Sequence, residues 1–291
     1  MIGSSELIIN KDGSIFHLHL KPENIADYVI LVGDPSRVKA IQSFLSEVEY
    51  TVQNREFVST TGKYNNTRIT VISTGIGTDN IDIVLNELDA LVNIDLDKRK
   101  IKDEKRSLKI IRIGTSGGMQ KHLSVNSFVV SKKAIGFDGL LNFYADRELI
   151  SDIDFEKNFF NHTEWNTILG RPYVVDCSPL LFKLFSDKNL FHEGVTISAP
   201  GFYGPQGREL RLKTIDPSLN EKIESFYYNE LQVTNYEMEC SAIYGLSALL
   251  GHEAITVCLI IASRTNKKAN GSYHSYMEKL IELVLEKISN S

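Results

Sequence analysis

Leu108-Lys109-Ile110-Ile111-Arg112-Ile113 runs directly into Gly114-Thr115-Ser116-Gly117-Gly118. A short apolar run closed by glycines is the form of a strand buried on both faces, and the glycines let a ligand approach the backbone at its end. Arg112 breaks the apolar run. A buried charge needs a partner, and a carboxylate or a phosphate would each serve. The same strand-then-turn shape recurs three times. Tyr28-Val29-Ile30-Leu31-Val32 meets Gly33-Asp34-Pro35-Ser36-Arg37, residues 68–73 meet Thr74-Gly75-Ile76-Gly77-Thr78, and residues 255–262 meet Ser263-Arg264-Thr265-Asn266.

Helical patterns alternate with these strands. Ile81, Val84, Leu85, Leu88 and Val92 form one stripe over 79–92, with Thr78 or Asp79 as N-cap. Asp216-Pro217 has the cap-then-proline order of a helix start, and Met277, Leu280, Ile281, Val284 and Ile288 form a closing amphipathic helix. The alternation predicts an α/β fold, a mixed central β-sheet flanked by helices. Without a repeat or a long linker, residues 1–291 read as a single domain. Residues 93–107, with six basic and four acidic side chains, read as a charged insertion forming a solvated loop or helix extension.

With 42% hydrophobic and 24% charged residues the composition is that of a globular protein. A net charge of −5 argues against nucleic acid or a membrane surface as partner, since either calls for a basic face. Cys177, Cys240 and Cys258 lack CxxC spacing, and an odd count makes a poor disulfide framework. The N-terminus lacks a signal-peptide pattern, and the longest apolar run, 254–262, is too short to span a bilayer. A cytoplasmic setting is the expectation.

Two polar segments carry the chemistry. In Phe202-Tyr203-Gly204-Pro205-Gln206-Gly207-Arg208 an aromatic ring precedes an amide and a guanidinium, a set suited to a flat heterocycle with carbonyl edges. Asn235-Tyr236-Glu237-Met238-Glu239 offers carboxylate, thioether and carboxylate in succession, able to receive hydrogen bonds from a polyol. A base joined to a sugar satisfies both. Gly114-Thr115-Ser116-Gly117-Gly118 also matches the G-x-S-x-G elbow of serine hydrolases with Ser116 as nucleophile, but the elbow requires a following helix and 120–126 reads as loop. His17-x-His19 would place two rings on one strand face without a third metal ligand. HExxH, Walker A and a well-placed GxGxxG are all missing.

These residues bring a family into view. The chain resembles the nucleoside phosphorylases of the hexameric type, most of all those that cleave uridine. Eight segments in the family's order carry the likeness: Phe16-His17-Leu18, Gly33-Asp34-Pro35-x-Arg37, Arg55-Glu56-Phe57, Ser73-Thr74-Gly75-Ile76-Gly77, Arg112-Ile113-Gly114-Thr115, Phe202-Tyr203-x-x-Gln206-x-Arg208, Asn235-Tyr236-Glu237-Met238-Glu239 and Arg264-Thr265.

The resemblance implies a pentosyltransferase of pyrimidine salvage. Inorganic phosphate attacks the sugar C1′ of uridine, or of deoxyuridine or thymidine, and no organic cofactor takes part. It implies phosphate binding by Gly33, Arg37, Arg112 and Thr115, with Arg55 supplied by a neighbouring subunit. Glu237, Met238 and Glu239 would hold the ribose, His17 of the neighbour the 5′-hydroxyl, and Phe202, Gln206, Arg208 and Arg264 the base. Arg112, Thr115, Arg208 and Glu239 would carry catalysis. Purine-cleaving relatives bear a Ser-Asp pair where this chain has Ser263-Arg264, which disfavours purines. A monovalent cation near Glu56, Ile76 and Asn80 and a homo-oligomer, from dimer to hexamer, are also implied. The competing readings are a purine phosphorylase or nucleosidase on the same fold, a serine hydrolase using Ser116, and a nucleoside-binding protein without catalysis.

Overall fold

The computed structural model describes residues 1–266 and 268–291. The chain runs β1 (Tyr28–Val32), α1 (Pro35–Gln42), β2 (Glu47–Asn54), β3 (Phe57–Tyr64), β4 (Thr67–Ser73) and α2 (Thr78–Asn93). A hairpin of β5 (Ile94–Asp95) and β6 (Lys100–Ile101) leads to β7 (Lys109–Gly118) and β8 (Phe128–Gly136). There follow α3 (Ile153–His162), β9 (Tyr173–Asp176), α4 (Pro179–Phe185), β10 (Phe191–Ser198), α5 (Leu219–Ser225), β11 (Tyr227–Tyr228) and β12 (Leu231–Glu237). The chain closes with α6 (Cys240–Leu250), β13 (Glu253–Ser263), β14 (Lys268–Ala269) and α7 (His274–Ser289).

The expected mixed α/β sheet is present. Its strands lie in the order β11-β12-β10-β8-β13-β7-β1-β4-β3-β2. β7 is the hinge of the whole arrangement. It runs parallel to β1 and to β13, and its last residues turn antiparallel onto β12, pairing Gly117 with Tyr236 and Gly118 with Asn235. That pairing closes β7, β13, β8, β10 and β12 into a ring. Gly114 to Gly118, expected as a turn, is therefore strand. Hydrogen-bonded neighbours on both sides override the low strand preference of glycine.

Ile110, Ile111 and Ile113 of β7 are fully buried, and the α2 stripe Ile81, Val84, Leu85 and Leu88 packs into the same apolar core. Met277, Leu280, Ile281, Val284 and Ile288 of α7 join it as the spacing predicts. A second cluster, around Phe155, Phe159, Trp165 and Tyr236, covers the ring side of the sheet.

Four local expectations are corrected. Gly77, at φ 101°, is the N-cap of α2 in place of Thr78 or Asp79, because the chain must turn sharply after β4. The helix after Asp216-Pro217 begins at Leu219; Asp216 instead accepts from the backbone and hydroxyl of Ser218 in a turn. His17 and His19 lie in a turn, with His19 at φ 55°, so they do not share a strand face. Residues 93–107 are neither loop alone nor helix extension. The α2 helix ends at Asn93, whose buried amide donates to Asp89 and to the Arg106 carbonyl and accepts from the Arg106 N–H.

That amide fastens the charged hairpin to the domain. Asn93→Ala leaves the Arg106 backbone groups without these partners, and a loss of about 1–3 kcal/mol in urea-unfolding free energy is expected. A change within a few tenths of wild type would show that the hairpin is not tied in this way.

Candidate active site

A cavity of about 550 Å³ opens where β1, β7, β12 and β13 end and the β4–α2 turn comes alongside. Its most buried cation is Arg112, 5% exposed. The guanidinium folds back across Gly114, where a Cβ would stand 1.8 Å from Nη1. Glycine is required there because residues two apart on a strand share a face. Arg112 Nη2 donates to Glu239 Oε2, while Nη1 lies 3.4 Å from Glu237 Oε2 and 3.7 Å from Cys258 Sγ. Of the two partners the sequence left open, the protein itself supplies carboxylates. Burial opposes the Arg112 charge, but Glu239 and Glu237 hold its pKa above the ordinary arginine value.

Both carboxylates are anchored in turn. Glu237 accepts from Ser198 Oγ at 2.6 Å and from the Glu239 and Cys240 N–H groups at 2.9 and 3.0 Å, so it caps the entry to α6. Glu239 accepts from the Gly77 N–H at 2.8 Å, joining the α2 and α6 starts. Burial pushes the Glu237 carboxyl up to about 7; the Arg112 charge pulls it down and the neighbouring Glu239 raises it again.

Arg37 enters from α1. Its side chain is 9% exposed and donates to the Ile113 carbonyl at 3.2 Å. Among the described residues it forms no ion pair. Burial and the nearby Arg112 charge both push its pKa down, with Tyr273 and Asp34 opposing them. The β1–α1 turn that delivers it is tight: Asp34 caps α1 through the Ser36 N–H at 2.8 Å, and a Cβ on Gly33 would meet the Gly75 carbonyl at 3.3 Å. Thr115 faces the same cavity. Two guanidiniums thus share one buried corner.

At the other end the Arg208 guanidinium sits 3.7 Å from the centre of the Phe202 ring and donates to Gln206 Oε1 at 2.6 Å. Arg264 Nη2 reaches the same oxygen at 3.4 Å. The amide oxygen is thus engaged by arginines. Burial, and then the Arg264 charge, lower the Arg208 pKa to about 10.

Of the residues singled out in the sequence, Gly33, Arg37, Arg112, Thr115, Phe202, Gln206, Arg208, Glu237, Met238 and Glu239 line this one cavity. Arg264 lies just behind Gln206. His17 and Arg55 stand outside the wall. His17 Nδ1 pairs with Glu87 Oε1 at 2.6 Å, and Glu87 also accepts from the His17 and Leu18 N–H groups. Arg55, exposed at φ 54°, lies 5.7 Å from the Phe16 ring centre. Asn54 donates to the Phe16 and His17 carbonyls, so the two segments form one unit. Glu56 and Asn80 converge on Gly75, next to the exposed Ile76.

Ser116 is buried within β7 with no hydrogen-bond partner for its hydroxyl, no helix follows it, and no histidine lines the cavity. A strand-to-helix elbow with a base at hand is not built here. Ile261, Ala262 and Tyr273 complete the wall without having been foreseen. Ordinary apolar and aromatic residues give no advance signal of where their faces will point.

The comparisons with known proteins agree with this geometry. The family description Phosphorylase superfamily matches residues 27–289. The uridine phosphorylase of Thermococcus kodakarensis is 29% identical over 274 residues, 91% of this chain and 83% of that protein. A DeoD-type purine nucleoside phosphorylase of Streptococcus suis is 26% identical over 86% of this chain and 87% of its own. The crystal structure of a Trypanosoma brucei nucleoside phosphorylase, described as showing uridine phosphorylase activity, superposes with a TM-score of 0.88 at 30% identity, covering 98% of this chain and 100% of the other. The chain belongs to the phosphorylase superfamily.

A raised pKa has a thermodynamic sign. The folded state holds the Glu237 proton up to about 7, whereas the ordinary value is 4.5. Across that window the folded protein binds more protons than the unfolded chain, so this group's contribution to stability falls as pH rises. Glu237→Gln is expected to remove that downward component when urea midpoints are compared at about pH 5 and pH 8. Equal pH slopes in variant and wild type would refute the assignment.

Proposed function

We infer that this chain catalyses the phosphorolysis of uridine to uracil and ribose 1-phosphate. The observation that carries the reading is Arg37: a buried guanidinium beside a second one, with a backbone carbonyl as its side-chain partner and an open cavity in front. Such an arrangement calls for an exogenous anion. The relatives named for uridine phosphorylase supply the substrate class.

Chemistry follows from position. Arg37, Arg112 and Thr115 receive hydrogenphosphate, and an oxygen of it forms the new bond to C1′. The C1′–N1 pair departs with the base, and the phosphate proton ends on uracil. Charge builds up as a cation on the sugar and as an anion over the uracil ring and carbonyls, so a phosphate on one side and Arg208 on the other stabilise the same transition state. Glu239 and Glu237 receive the ribose hydroxyls. The Arg112–Glu239 pair aligns the groups for anion and sugar with each other before either ligand arrives.

The carboxylates in the cavity wall are Asp34, Glu237 and Glu239, and none accompanies Phe202, Gln206 and Arg208 at the base end. A departing purine gains from an acid at its ring nitrogen; a departing pyrimidine dione gains from donors at its carbonyls. The arginine-rich end favours the second.

His17 and Arg55, assembled away from the cavity of their own subunit, suit delivery to a neighbour's site, and a homodimer is the smallest assembly that allows it. Glu56, Ile76 and Asn80 would then lie beside that contact. The three cysteines are unpaired and buried, in keeping with a cytoplasmic protein. Among the described residues no helix is long and apolar enough to cross a membrane.

Ultraviolet assay with uridine and with inosine, with and without phosphate, tests the reading. Cleavage of uridine that requires phosphate, with inosine slower by orders of magnitude, is the expected result; equal rates on both, or cleavage without phosphate, would overturn it. Arg37→Met should raise the phosphate KM by about 10- to 100-fold, the loss of one charge-assisted contact, and leave the uridine KM nearly unchanged.

A further inference from the structure

Tyr273 precedes α7, far in sequence from every segment that carries the family likeness except Arg264-Thr265. It is half-buried and shares the cavity wall with Gly33, Asp34 and Arg37. Among the described residues no hydrogen bond engages its hydroxyl, although the neighbouring polar groups are occupied: Asp34 caps α1, and Arg37 holds the Ile113 carbonyl. The ring is also held in place. It stacks on His274 with centroids 5.3 Å apart and planes 2° from parallel.

Three neighbours place this phenol at the anion end of the cavity. These are Gly33, Asp34 and Arg37, which line the same stretch of wall. The helix it precedes begins there too. α7 is 16 residues long, Tyr273 is its N-cap, and no side chain caps the first-turn N–H groups. The phenol therefore adds a hydrogen-bond donor to the corner already occupied by two guanidiniums.

We propose that the Tyr273 hydroxyl is a further phosphate ligand, donating from the α7 side to an oxygen that Arg37, Arg112 and Thr115 leave free. The proposal rests on the phosphorolysis reading for the identity of the anion and goes beyond it in the residue assigned. A tetrahedral dianion presents several oxygens in different directions. Arg112 and Thr115 rise from β7 and Arg37 from α1, which leaves the α7 side of the same corner to Tyr273. A phenol suits that place because it adds a donor without adding a third charge beside two cations. The sugar is the other group that could lie within reach, and it has its own receivers in Glu237 and Glu239.

Calorimetric titration of the ligand-free, full-length protein with inorganic phosphate, and separately with uridine, tests this. Tyr273→Phe, which keeps the ring and its stack, is expected to weaken phosphate binding by about 3- to 10-fold, the loss of one neutral hydrogen bond, with uridine binding unchanged. Tyr273→Gln, which restores a donor, is expected to recover part of that loss and guards against an effect of packing alone. Phosphate binding equal to wild type in Tyr273→Phe, or a loss confined to uridine, overturns the proposal. If the wild type binds phosphate in a Tyr273-dependent way yet does not cleave uridine, the substrate reading fails and the assignment of Tyr273 to the anion stands.

Discussion

Everything in the site depends on one buried cation and the space made for it. Arg112 sits in the middle of an otherwise apolar strand, and its side chain can lie flat only because Gly114 has no Cβ to obstruct it. An isolated guanidinium at that depth would be strongly disfavoured. Glu239 and Glu237 remove the penalty, and each is in turn fastened to backbone N–H groups, one at the start of α2 and two at the start of α6. The ion cluster therefore ties three separate elements, β7, α2 and α6, into a single wall. Removing Arg112 leaves two buried carboxylates facing each other without a cation.

This cluster leaves Arg37 without a carboxylate of its own. Glu237 and Glu239 are oriented on Arg112 and Asp34 is engaged in capping α1, so Arg37 has a carbonyl oxygen and its neighbour's repulsion. The protein carries this imbalance at some cost to its own stability, in return for a place where an anion is strongly favoured. The opposite end of the cavity follows a related logic at lower depth. Arg208 stacks on Phe202 and shares the Gln206 oxygen with Arg264, so four side chains from two distant segments orient one another.

The unit made of His17, Glu87, Asn54 and Arg55 is built just as deliberately, but on a different face. Glu87 engages three N–H groups of the 17–18 turn, and Asn54 grips the carbonyls on the other side. With Nδ1 held against Glu87, the His17 ring keeps Nε2 for an outside partner. Such order in a half-exposed turn has no purpose in the core of its own chain. It fits the proposed delivery of these groups to a second copy.

Much of this was legible in the chain itself. Periodicity marked β1, β4, β7 and β13, the α2 and α7 stripes and the mixed α/β class, because burial against a sheet imposes a spacing that apolar residues must obey. The chemistry-bearing side chains were legible too: Arg37, Arg112, Gln206, Arg208, Glu237 and Glu239 are costly residues to bury, and their oddity in context shows in one dimension. What the chain could not disclose is decided by contacts between distant segments. Gly114 to Gly118 became strand because β13 and β12 supplied hydrogen bonds on either side; 93–107 became an anchored hairpin because Asn93 reached Arg106; Arg112 took carboxylates as partners because the start of α6 arrives above it. Tyr273 belongs with these. Local sequence determines which residues want burial or charge, but only the closed sheet determines which of them meet, since that depends on backbone pairings between residues more than a hundred positions apart.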